Sequence, residues 1–296
     1  MAGKIEIPES LKAELPPSKW GKILGATPIV MTVIATLLAG LASSEMNTAQ
    51  YDRALGAQLQ SKAGDQWGYA AAKKTRGALA HNSLDLLAAT ADVHPLAVAS
   101  LASADDATVA ALVKGDLPAI ERVKFEAEIQ AALDAVENSA AEKEIATQLG
   151  KIKDAALVAA LDSAKAAALA FDSAAKPMTK TADKMNETLM TAGDKGAFAN
   201  FAAVRLRYTA ARYDTEARLN QTVAGVYELQ VRKANLSAEK HHARSGKFFI
   251  GMLAAQLGVI ISTFALAARK KNFLWSFAAG AGVLAVVFSL YVYLYV

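Results

Sequence analysis

The chain of 296 residues is 53% hydrophobic and 20% charged, too apolar for disorder and too charged to consist of membrane spans alone. It has no cysteine, which excludes disulfides, thiolate metal sites and cysteine nucleophiles and fits either side of a membrane. Its formal charge of +4 sits on the flanks. Residues 44–247 contain 25 basic and 25 acidic side chains, and the other basic residues are Lys4, Lys12, Lys19, Lys22, Arg269, Lys270 and Lys271, so no basic nucleic-acid-binding domain is expected.

In chain order, a polar segment 1–22 precedes an apolar run with no ionisable residue from Ile23 to Leu41, read as a first span over 23–43 and not as a cleaved leader. No proline follows Pro28 until Pro95, so a helix is expected to continue out of the membrane through 45–92. Within it, DQWGYAAAKKTR concentrates Trp67, Tyr69, Lys73, Lys74 and Arg76 on an otherwise Ala-rich helix. Helices are expected over about 96–113, 118–175 and 178–192, bounded by His94–Pro95, by KGDLP, by Lys176–Pro177 and by AGDKG, with a break near Gly150 and a distal helical hairpin in the middle piece. The returning stretch, 197–247, carries a seven-residue repeat at Phe201, Tyr208, Thr215, Thr222, Leu229 and Leu236, on whose seam Arg205 and Arg212 demand partners or solvent access. Spans follow at 248–268 and 273–296, joined by a turn at 269–272 containing Arg269, Lys270 and Lys271.

The fold class expected is therefore all-α, with three transmembrane helices and a long antiparallel helical stalk formed by 44–247. Arms 45–92 and 197–247 would each extend about 70–75 Å if fully helical. With Glu45 level with Lys247, facing residue numbers sum to about 292, which sets Asp52 opposite Lys240, Arg53 opposite Glu239, Arg76 opposite Glu216 and Trp67 opposite Gly225. Ala254, Gly258 and Ser262, like Thr32, Thr36 and Gly40, recur at the four-residue spacing that lets helices approach closely in lipid.

The search for chemistry is mostly negative. Neither a P-loop nor GxGxxG is present, Ser173–Lys176 fits SxxK without its companion motifs, and His241–His242 point about 100° apart on a helix and cannot grip one ion together. No catalytic residue, metal ligand or cofactor site is assigned. The spans lack the buried charges usual in proton or ion pathways.

Trp67, Tyr69, Ala72 and Lys73, in a W-x-Y-x-x-A-K arrangement soon after a first span, resemble a bacterial membrane-protein family known as domain of unknown function 4337. Ala70 and Ala71 stand where that family often has aromatic and Gln residues, and a second match runs from Tyr213 through Trp275. The Ala-rich centre, 95–195, has no counterpart. The resemblance implies a bacterial inner-membrane protein and brings no activity with it.

The leading expectation is a non-enzymatic structural or accessory membrane protein that forms a homo-oligomer, or docks a larger membrane complex, through its helical domain. A subunit of an oligomeric channel or transport assembly is the alternative, with Thr27, Thr32, Thr36 and Ser262 as polar lining. Short loops rich in Lys and Arg stay cytoplasmic, so the turn at 269–272 and the N-terminus are expected inside and 44–247 outside, although Lys240, Arg244 and Lys247 weigh the other way. In sealed spheroplasts, external protease should cut the central domain; cutting only after lysis would reverse the orientation.

Overall fold

The computed structural model describes residues 19–96, 107–119, 123–267 and 273–295. All secondary structure among them is helical. The helices are α1 (Lys19–Thr90), α2 (Ala107–Lys114), α3 (Ala127–Glu137), α4 (Glu142–Leu149), α5 (Asp154–Ala192), α6 (Lys195–Ala267) and α7 (Phe273–Tyr295). Three of them, α1, α6 and α7, contain stretches long and apolar enough to cross a membrane. The turn bearing Arg269, Lys270 and Lys271 lies outside the described residues, as does most of 1–22.

The chain divides into two compact units, Met1–Ala54 with Asn235–Val296, and Leu55–Ala234. The expected domain began at 44 and ended at 247. The first unit includes residues next to the apolar stretches, where Ser245 Oγ donates to Ala42 O at 2.7 Å and His241 Nδ1 meets the Glu45 carboxylate.

In that first unit α6 and α7 each bury a narrow stripe of small residues. On α6 the stripe is Gly251, Ala255, Gly258, Ser262 and Ala265, and on α7 it is Ala278, Gly282, Ala285 and Ser289. Ala254, expected on the packed face, is only half-buried, while Thr32, Thr36 and Gly40 are exposed, so α1 packs instead through Met31, Ala35, Leu38 and Ala42. Met31 explains the choice. Its thioether fills the space that Cβ atoms would take on both Gly258 and Gly282, a use suited to an unbranched, adaptable side chain. Outward-facing Ile29, Leu37, Leu257, Phe264 and Leu284 are 59–69% exposed, an apolar surface suited to lipid and not to water. Pro28 lies within α1, and the Thr32 hydroxyl donates to its carbonyl at 2.8 Å.

In the second unit α5 and α6 form an antiparallel pair joined by Gly193 and Asp194. Gly193 adopts φ 73°, which ends α5, and Asp194 Oδ1 accepts from the backbone N–H groups of Gly196 and Ala197, which starts α6. Facing contacts run from Arg205–Asp183 through Tyr208–Ala175 to Gln230–Leu157. The core gathers Leu112, Met178, Ala182, Phe201, Val204 and Tyr208.

The central stretch is cut differently from expectation. Lys176–Pro177 does not break the chain: α5 runs through Pro177, since Met178 and Ala182 just beyond it are buried in that core and the packing offsets the roughly 3 kcal/mol a helix-interior proline costs. Breaks do occur near Gly150 and at Asn138–Ser139, where Ser139 takes φ 53°, leaving the short helices α3 and α4 packed on each other, and α2 packs on α5. Residues 97–106 of the expected helix 96–113 lie outside the described residues.

Leucine at Gly258 should overpack the Met31 contact and destabilise the detergent-solubilised protein by about 1–3 kcal/mol in thermal unfolding. Leucine at Gly280, around which nothing lies within 4 Å, should change stability by less than about 0.5 kcal/mol.

Candidate functional site

The polar segment of α1 lies in the second unit, where its heptad of small residues, Gly56, Ala63, Ala70 and Gly77, is buried. That stripe determines what each polar side chain can reach. Lys73 lies beside it, turned inward. Trp67, Tyr69 and Arg76 lie off it and are exposed.

Lys73 Nζ pairs with the Glu216 carboxylate of α6, and both side chains are mostly buried, 12% and 9% exposed. Arg212, one turn earlier on α6, brings its Nε to 3.3 Å from the same carboxylate and donates from Nη1 to Thr179 Oγ1 at 2.6 Å. Beside them the Tyr213 ring faces three cations, with Arg212 at 4.5 Å, Lys73 at 5.3 Å and Arg76 at 6.0 Å from its centroid. Tyr69 gives Lys73 a second aromatic face at 4.9 Å. Asp214 meets His81 Nε2 at 3.2 Å, and a Cβ at Gly77 would lie 2.7 Å from Asp214 Oδ1, so any larger residue there would make the carboxylate shift.

Burial by itself would push the Lys73 ammonium down. The hydrogen bond and charge of Glu216, joined by Tyr69, outweigh it and hold Lys73 above the ordinary lysine value of 10.5. A lysine that works as a nucleophile is shifted the other way. The arrangement is suited to holding α1 on α6, because moving Lys73 away would leave the buried Glu216 carboxylate to Arg212 on its own helix.

Arg76 was expected opposite Glu216. Lys73 takes that place, one turn earlier. Trp67 and Gly225 do border one groove of about 860 Å³, together with Phe125, Leu133 and Arg218, but Trp67 stays 42% exposed and is not a buried anchor. The neighbour crowding Gly225 is Leu133 of α3, whose Cδ2 would lie 3.3 Å from a Cβ at that position. No periodicity in α6 could announce this contact, since it depends on where α3 docks.

In the first unit, no ion pair among the described residues joins Asp52 to Lys240 or Arg53 to Glu239. Glu45 instead meets His241, with Arg244 Nη1 at 3.9 Å. His241 is half-buried, and its neighbour His242 is exposed. Arg205 and Arg212 both find the partners their seam positions required, Asp183 at 3.0 Å in the first case. Gly258 and Ser262 are buried in the span packing. Among the described residues no group of His, Asp and Glu is arranged to hold a metal ion. No protein-family model, curated protein or solved structure matches this chain.

Glu216→Gln should destabilise the fold by about 3 kcal/mol, and a Lys73→Met, Glu216→Gln double variant should recover part of the loss in a double-mutant cycle. Because Lys73 has a higher pKa folded than unfolded, its contribution is complete below about pH 10.5 and is lost as the pH rises through the folded value, which an alkaline stability titration of wild type against Lys73→Met reads directly.

Proposed function

We propose that this chain is a non-enzymatic structural or accessory protein of the bacterial inner membrane, held by three spans, whose extracytoplasmic helical stalk associates with further copies of itself. The observation that carries the reading is the outer face of α1. At alternating steps of three and four, Ala54, Ala57, Ser61, Gly64, Gly68, Ala71, Thr75 and Ala78 form a second small-residue stripe, every one exposed and none charged. Beside its end, Leu79 and Leu86 are 59% and 64% exposed.

A solvated helix face ordinarily carries Lys and Glu, and this domain has charge to spare. Glycine within a helix costs about 1 kcal/mol relative to alanine. Gly56 and Gly77 are buried within the chain, but around Gly64 and Gly68 nothing lies within 4 Å. Small, uncharged positions on both sides of one helix are the requirement for packing it between two neighbours, one inside the chain and one outside. The ion cluster around Glu216 supports a rigid inner seam, and the resemblance at Trp67, Tyr69, Ala72 and Lys73 supports the bacterial membrane setting.

The test is the native mass of the particle in mild detergent. We expect an oligomer that falls to single chains in a Gly64→Gln, Gly68→Gln variant, while the melting temperature of the isolated chain rises because two helix-interior glycines are gone. A wild-type particle of one chain with no partner attached would overturn the reading. Ion conductance by the reconstituted oligomer would replace it with the channel alternative.

A further inference from the structure

Between α1 and α7, in the unit that carries the spans, lies a groove of about 470 Å³. Its walls are apolar, with Ala26, Val30 and Ile34 on α1 and Ala279, Val283 and Val287 on α7. Thr27 also borders it, but its hydroxyl is already engaged, donating to Ile23 O at 2.8 Å and accepting from Trp275 Nε1 at 3.1 Å. From Ile23 to Ile34 the groove follows α1 for about 16 Å, which is half of a hydrocarbon core of about 30 Å and so the depth of one leaflet.

One end of the groove is basic. Lys19, Ile23, Ala26 and Val30 follow one another at steps of four, three and four, so Lys19 lies on the face that lines the groove, and Lys22 stands one turn before Ala26. Both lysines are exposed, and neither makes an ion pair among the described residues. No acidic residue occurs in α1 before Glu45 or anywhere in α7 to balance them. A second copy inserted in the same orientation would bring its own Lys19 and Lys22 to this height, and like charges oppose that occupant.

We propose that this groove binds an anionic diacyl phospholipid from the leaflet at the Lys19 end of α1, with one acyl chain along Ala26, Val30 and Val283 and the phosphate between Lys19 and Lys22. The apolar walls take the chain as they would any lipid, and the two lysines select the headgroup. Each contributes roughly fivefold, the factor equivalent to about 1 kcal/mol per lysine near an anionic surface.

The full chain, delipidated by detergent exchange and incubated with mixed micelles containing phosphatidylglycerol or phosphatidylcholine, is read by native mass spectrometry. We expect one phosphatidylglycerol retained per chain and at least tenfold less phosphatidylcholine. Lys19→Gln with Lys22→Gln should bring phosphatidylglycerol down to the phosphatidylcholine level. Ala26→Phe should displace both lipids with an unchanged melting temperature, and Val283→Trp should do the same from the opposite wall at a position already 63% exposed. Equal retention of the two lipids by wild type would overturn the proposal, as would retention unaffected by both filling variants. Efficient disulfide formation between protomers by Val283→Cys in native membranes would also overturn it, by giving the groove to a second copy.

Discussion

Two helices can bring their backbones close only where neither presents a bulky side chain, and α1 meets that condition at every seventh residue. Ala35, Ala42 and Ala49 are buried in the span-bearing unit, and Gly56, Ala63, Ala70 and Gly77 in the other. Alanine and glycine remove little apolar area from water, so this seam does not hold the structure by hydrophobic burial of α1 itself. Its effect is to admit larger groups from elsewhere. In the second unit the larger buried side chains lie on α6, where Tyr208, Val223, Val226 and Leu229 are all nearly inaccessible. Gly77 leaves room for the Asp214 carboxylate where it meets His81.

Small seams are poor at specifying register, because one alanine resembles the next. The ionic cluster supplies what the seam lacks. Glu216 is 7% exposed and sits against Lys73 on one side and Arg212 on the other, so a displaced α1 would leave it buried beside a single cation. The Tyr213 ring attracts the nearby Lys73 and Arg212 cations to its negative face, which offsets part of the repulsion between them where they share a carboxylate. Comparable logic holds in the span-bearing unit, where Glu45 is shared between His241 and Arg244.

Among the apolar helices the same economy of size produces the opposite feature. Gly258 and Gly282 yield their space to Met31, which draws α6 and α7 onto α1 on one side. Beside that contact, Ala26 and Ala279 are too small to fill the angle between α1 and α7, and a groove remains that Met31 and Gly282 also line. Packing that is tight at glycine and open at alanine follows from having one long side chain at the centre of the contact.

The helical class, the three apolar stretches and the continuity of the two long helices were legible in the residues themselves, because they rest on run lengths, composition and the absence of proline, each a property of a local segment. The αL stop at Gly193 and the Asp194 start of α6 were legible for the same reason: glycine tolerates positive φ, and an aspartate can cap its own helix. The heptad on α6 marked Phe201 and Tyr208 as interior. What the sequence could not carry was which of several nearly equivalent positions meet. Lys73 instead of Arg76 reaches Glu216, His241 meets Glu45, and Leu133 instead of Trp67 crowds Gly225. Those choices differ by a single helical turn or by the docking of a short helix, and the energies that select among them arise only when both surfaces are present. Pro177 shows the same division, since by itself it argues for a break, and only the core that closes over Met178 and Ala182 makes α5 continuous.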